Sequence, residues 1–193
     1  MLIPYLDLRT SNLAYQGQFL DATKEVLQSG QFIGGAFVEK FEAEFAQYTQ
    51  SSYCVGTGNG LDALLLALMA LGIAPGDEVI APSHTYIATW LPITRLGATI
   101  VPAEPDMSSF HVAAHNIKPL ITPKTKAIIP VHLYGMPCNM DAICALAQQH
   151  GIPVRNPVTA YDHDDHENEA HPEVPVLRGQ RRQGDSRVGF LAA

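Results

Sequence analysis

The sequence predicts an α/β fold, a mostly parallel sheet with helices on both faces. Several short runs are almost wholly apolar, as in Glu78 to Ala81 (EVIA) and Ala127 to Val131 (AIIPV), and strands buried on both faces read this way. These runs alternate with segments of helical periodicity, the order that builds crossover units and hence a parallel sheet. A chain of 193 residues, 47% apolar and 16% charged, has the length and composition to bury one sizeable core.

Gln18 to Gly30 reads as a helix, with Leu20, Ala22, Val26 and Leu27 apolar and Gly30 at the place of a C-cap. Val38, Phe41, Phe45 and Tyr48 recur at steps of three and four, which marks an amphipathic helix. Tyr53 to Val55 is a short strand. Leu61 to Leu71 is a helix apolar nearly all round, expected to lie buried between other elements. Glu78 to Ala81 is a strand that ends at Pro82, and Thr85 to Leu96 reads as a helix kinked by Pro92. Ala98 to Val101 is a strand, and Val112 to Ile121 a helix weakened by Pro119. Ala127 to Val131 is a strand, Met140 to His150 a helix, and Ile152 to Val154 a last strand. Residues 1–154 thus read as one α/β domain. Residues 155–193 differ in kind: they lack lysine and any periodicity, histidines and acids crowd the first half, and arginines cluster in the second. This segment is expected to be irregular.

Sheets of this class bind ligands outside the carboxyl ends of their strands. That rule singles out the loops Gly56 to Gly60, Pro82 to Tyr86 and His132 to Gly135. Gly56, Gly58 and Gly60 flank a strand-to-helix turn, where backbone N–H groups and the helix dipole suit an anion such as phosphate, with Asn59 as a further donor. A tight turn that merely needs glycine explains the same residues equally well. The third glycine of a dinucleotide fingerprint is missing from its position, and no Walker lysine follows. In the second loop, Tyr86 or His84 is placed to stack on a flat heteroaromatic ring, or else is an ordinary loop residue. In the third, His132 and Tyr134 offer a donor and acceptor pair at the same rim and are candidates for binding substrate.

The net charge of −7 argues against a nucleic-acid surface or a patch for anionic membranes. Cys54, Cys138 and Cys144 are odd in number and widely spaced, the usage of a reduced, cytoplasmic protein with cysteines as small core residues. The longest apolar run, Leu64 to Ala74, is too short to span a bilayer, and the opening residues do not read as a signal peptide.

Six blocks carry a family resemblance: IPYLDL, SGQFIGGAFVEKFEAEFA (Ser29 to Ala46), GNGLDALLLALMALGIAPGDEVIAPSHTYIATW (ending at Trp90), GATIVPAEPD (Gly97 to Asp106), ITPKTKAIIPVHLYGMPCNMDAI (Ile121 to Ile143) and HGIPV (His150 to Val154). Together, and in this order, they resemble the N-terminal half of the DegT/DnrJ/EryC1/StrS family of pyridoxal-phosphate (PLP)-dependent sugar aminotransferases. The resemblance implies a partial fold-type-I large domain, usually homodimeric with active sites near the dimer interface. It implies PLP as cofactor, and transfer of an amino group from an amino acid such as glutamate to a nucleotide-linked keto-sugar. By position it puts Asn59, Gly60 and Leu61 at the PLP phosphate, with Leu61 in place of a threonine, and Tyr86 against the PLP ring.

The sequence also departs from that family. Where the family has Glu-Asp, whose aspartate pairs with the pyridine nitrogen, this sequence has Arg155, Asn156 and Pro157. Some thirty residues further on, the family has the lysine that forms the Schiff base. The lysines here are Lys24, Lys40, Lys118, Lys124 and Lys126, all upstream. No catalytic residue is therefore assigned, and covalent attachment of PLP is not expected. The switch in composition at residue 155 is expected to reflect truncation with a replaced tail, as a reading-frame shift would produce, leaving an inactive chain. Alternatives are a non-catalytic remnant that binds PLP or nucleotide-sugar or that dimerises, a chain with no function, and metal binding by His163, Asp164, Asp165, His166, Glu167, Glu169 and His171, whose spacing fits no zinc template.

Overall fold

A computed structural model describes residues 7–49, 51–155 and 188–192, which fall into two compact units, residues 1–41 and 42–193. The first unit holds helices α1 (Leu8–Ala14) and α2 (Gln16–Ser29) and the start of α3 (Ala36–Tyr48). The sequence reading did not anticipate α1. It starts because the Asp7 carboxylate accepts hydrogen bonds from the Thr10 backbone N–H (3.0 Å) and hydroxyl (2.6 Å), an N-cap. Helix α2 stops at Gly30, which takes the left-handed conformation (φ 67°) expected of a C-cap. No residue of α2 is buried, and Phe19, Leu20 and Leu27 are each more than half exposed.

The second unit is built on parallel strands. These are β1 (Tyr53–Thr57), β2 (Glu78–Pro82), β3 (Thr99–Ala103), β4 (Thr125–Ile128) and β5 (Val188–Ala192). Strand β2 lies between β3 and β4, and Val154 extends the sheet by a parallel bridge to Ile128. Helices α4 (Gly60–Ala70), α5 (Leu91–Arg95), α6 (Ala114–Ile117) and α7 (Met140–Gln149) supply the crossovers.

Side-chain alternation divides the core between the two faces of the sheet. Val79 and Ala81 of β2, with Ala127 and Ile129, pack with Leu64 and Leu68 of α4 and Ile93 of α5. Ile80 and Ile128 point the other way, into a cluster with Ile117 of α6 and Ile143 and Leu146 of α7. A sheet covered on both faces is why its strands read as unbroken apolar runs. Helix α4 is less enclosed than its composition suggests: Ala63, Leu64, Ala67 and Leu68 are buried, while Leu66 and Met69 are exposed.

Three expectations need correction. Thr85 to Leu96 is not one kinked helix. It is a 3-10 turn, Ile87–Thr89, followed by α5, and Pro92 sits in the first turn of α5, where its missing N–H costs nothing. Val112 to Ile121 is helical only over Ala114–Ile117, with a 3-10 turn Lys118–Leu120 that accommodates Pro119. The segment read as irregular contains β5, which runs parallel to β1 from Tyr53 opposite Val188 to Thr57 opposite Ala192. Its apolar run VGFLA supplies the main-chain partners that β1 requires. The acidic and histidine-rich residues 163–171 lie outside the described residues.

Candidate functional site

The three loops singled out by the strand-end rule all leave the carboxyl ends of parallel strands. After β1 the chain turns through Gly58 and Asn59 into α4. None of Gly56, Gly58 and Gly60 has a positive φ, so the turn does not require glycine for its backbone conformation. Gly56 lies within β1, and its N–H donates to the Glu42 carboxylate at 2.7 Å. The N–H groups of Gly60 and Leu61 sit at the first two helical positions, where no intrahelical acceptor exists and an anion would be accommodated.

Asn59 is the N-cap of α4, and both ends of its side-chain amide are engaged by one residue. Its Oδ1 accepts from the Asp62 N–H at 2.9 Å, and its Nδ2 donates to the Asp62 carboxylate at 2.8 Å. The sequence reading offered that amide as a donor to an anion, whereas the structure shows it committed to the cap. Asp62 puts a carboxylate in the first turn of the helix, and the Arg95 guanidinium lies 4.0 Å from it.

After β2, Tyr86 precedes the 3-10 turn with its ring 76% exposed, and that turn packs against α4. The loop is braced from beneath. The Thr85 and Thr89 hydroxyls lie 2.8 Å apart, and the Trp90 indole donates to the Pro82 carbonyl at 3.0 Å.

After β4, His132 is half buried, and its Nδ1 accepts from the Cys138 N–H at 3.0 Å. Burial, then the neighbouring His111, lowers the His132 pKa. The ring is therefore neutral near pH 7, with its proton on Nε2. The Cys138 thiol donates to the Val131 carbonyl at 3.3 Å, and burial raises its pKa to about 11. Tyr134 is 76% exposed, and its hydroxyl lies 3.1 Å from His84 Nε2. His132 and Tyr134 thus share a loop but have different surroundings, one locked in the wall and the other projecting outward.

Phe110 and His111, in the loop after β3, were missed by the sequence reading. His111 is 5% exposed, and its Nε2 donates to the Leu133 carbonyl at 2.9 Å, tying the β3 loop to the β4 loop. Phe110 and Tyr134 are the two non-glycine residues with positive φ among those described (60° and 59°). Each pays about 1–2 kcal/mol for that backbone. No sequence signal marks Phe110, because aromatic residues are not enriched in the left-handed region.

The fit to PLP is partial. The Gly60 and Leu61 N–H groups suit its phosphate, and the exposed Tyr86 ring suits its flat heterocycle. By the family resemblance Pro157 stands where the aspartate for the ring nitrogen is expected, and it lies outside the described residues. Two positions before it, Arg155 is 7% exposed, with Nη1 donating to the Val154 carbonyl at 2.8 Å, and burial lowers its pKa to about 10. Lys118, Lys124 and Lys126 lie before or at the start of β4, at the opposite end of its sheet from the loops after β2 and β4. Lys24 and Lys40 belong to the other unit.

Comparison with known proteins agrees with this architecture. The chain is 47% identical over 152 residues to dTDP-3-amino-3,4,6-trideoxy-α-D-glucose transaminase of Streptomyces venezuelae, a match covering 79% of this chain and 40% of that protein. The X-ray structure of S. venezuelae DesV superposes with a TM-score of 0.78 at 46% identity, over 80% of this chain and 42% of that one. NtdA of Bacillus subtilis, solved with bound cofactor PMP, superposes with a TM-score of 0.75 at 32% identity, over 80% of this chain and 36% of that one. The chain spans about two fifths of the length of the curated relatives it matches. The family model matches residues 14–156, and the chain belongs to the DegT/DnrJ/EryC1/StrS aminotransferase family.

Proposed function

We propose that this chain carries the cofactor-binding front of a nucleotide-sugar aminotransferase site, and that these 193 residues alone bind PLP without turning over substrate. The observation that carries the reading is a helix N-terminus after β1, with the Gly60 and Leu61 N–H groups at its mouth, and an exposed Tyr86 after β2, at the start of a 3-10 turn that packs against the same helix. When bound, PLP supplies an electron-accepting ring for moving an amino group between carbons. Gly60 and Leu61 hold the phosphate, and Tyr86 fixes the plane of the ring. His132 presents a neutral Nε2–H beside the same loops. Arg155, Asn156 and Pro157 offer no carboxylate to pair with a protonated ring nitrogen, which argues against turnover.

The transaminase relative named for a dTDP-linked amino sugar supports a nucleotide-linked keto-sugar as acceptor and an amino acid as donor. The unburied apolar face of α2, with Phe19, Leu20 and Leu27, supports a homodimer. Titration with PLP tests the binding reading. Tyr86→Ala should weaken PLP at least about tenfold, the scale of a lost aromatic stack. Equal affinity in wild type and variant would defeat the assignment of Tyr86.

A further inference from the structure

We propose that His84, Phe110 and Tyr134 form a stacking subsite for the base of the nucleotide-linked substrate. The inference rests on the functional reading above and assigns one part of that substrate to three named rings. The rings come from three different loops, after β2, β3 and β4, all at the carboxyl end of the sheet. Their centroids are mutually 6.1–6.3 Å apart, with Phe110 and Tyr134 edge to face at 86°. A compact core would bury such a cluster. Here Tyr134 is 76% exposed, Phe110 is 47% exposed, and His84 is also exposed.

The backbone shows that this exposure is imposed. Phe110 and Tyr134 both hold left-handed conformations that bulky side chains avoid. Strain of this kind persists where the surroundings over-determine it, and it concentrates at ligand clamps. Two anchors hold it in place: the buried His111 bonds the Leu133 carbonyl, and the Phe110 N–H donates to the Asp106 carbonyl at 2.8 Å. The Tyr134 hydroxyl is satisfied by His84 at 3.1 Å, so the phenol offers its ring face rather than a polar end. None of the three carries a permanent charge, so phosphate or a sugar acid finds no fixed counter-charge here. A flat, neutral heterocycle gains most, and stacking of this kind tolerates any base. PLP has a separate partner in Tyr86.

The test is equilibrium titration of the chain with dTDP, with inorganic pyrophosphate and, separately, with PLP. Wild type should bind dTDP more tightly than pyrophosphate. Phe110→Ala and Tyr134→Ala should each weaken dTDP about tenfold or more, with PLP affinity unchanged. Tyr134→Phe, which keeps the ring, should lose less than Tyr134→Ala. If an alanine variant does not fold, Phe110→Leu, which keeps the bulk without a π face, should still weaken dTDP. The subsite is overturned by dTDP affinity that ignores all these substitutions, by dTDP binding no better than pyrophosphate, or by PLP affinity falling in step with dTDP. Wild type that binds PLP but not dTDP defeats the subsite alone. Wild type that binds neither defeats the functional reading as well.

Discussion

Removing the Asn59 side chain separates two roles that the sequence could not distinguish. In the structure the amide caps α4, so Asn59→Ala should cost stability first. Loss of an asparagine N-cap costs about 1 kcal/mol. The second bond, from Nδ2 to the half-exposed Asp62 carboxylate, adds a few tenths, for a total of about 1.5 kcal/mol. For a chain of this size that lowers the melting temperature by about 3–6 °C. Trp90 is the sole tryptophan, and it packs on the cluster that holds Leu64 and Leu68 of α4, so its fluorescence during urea unfolding reports this region. Asn59→Ser keeps a capping oxygen and should recover most of the loss. PLP affinity should change only a few-fold in either variant. Unchanged stability together with a tenfold loss of PLP affinity would refute the reasoning, because it would mean that the amide serves the cofactor rather than the cap.

Two further predictions concern buried ionisable groups. Burial lowers the Arg155 pKa to about 10, so the cation is held inside at a desolvation cost that its hydrogen bonds, among them that to the Val154 carbonyl, offset. With the folded pKa below the unfolded one, that cost is fully present below about pH 10 and fades as pH rises further. Arg155→Met should flatten the rise in stability above about pH 10 in urea unfolding, and a variant that keeps the wild-type rise would place that titration elsewhere. His132 has a lowered pKa, so the folded state binds fewer protons than the unfolded state, and stability declines as pH falls through and below 6.5. His132→Asn, whose carbonyl can still accept from the Cys138 N–H, should flatten the decline between pH 7.5 and 5, whereas parallel profiles would place the acid sensitivity elsewhere.

Much of the sheet was legible because its strands are covered on both faces. Val79 to Ala81 and Ala127 to Ile129 are apolar at every position, and the alternation of their burial between two clusters explains that. The rule that ligands gather at the carboxyl ends of such strands singled out three loops, and each of them follows the carboxyl end of a parallel strand. The geometry inside those loops was harder to read. Asn59 and Asp62, spaced as N-x-x-D before an apolar run, carry a capping signature that outweighs a donor role for the amide. Phe110 and Tyr134 depend on left-handed backbone conformations, which their residue types do not announce. The buried His111 acts through a carbonyl twenty-two residues away in the chain, a contact that periodicity does not encode. Thr85 to Leu96 looked like one helix because Pro92 can either kink a helix or start one, and packing selected the second.

The central claim is that this chain binds PLP at α4 and Tyr86 without covalent attachment. The most direct measurement is saturation with PLP, borohydride reduction, and mass-spectrometric mapping of the peptides. The account predicts saturable binding that is released on unfolding, with no reduced adduct on any lysine at stoichiometric yield. A stoichiometric adduct on Lys24, Lys40, Lys118, Lys124 or Lys126, or the absence of saturable binding, would contradict it.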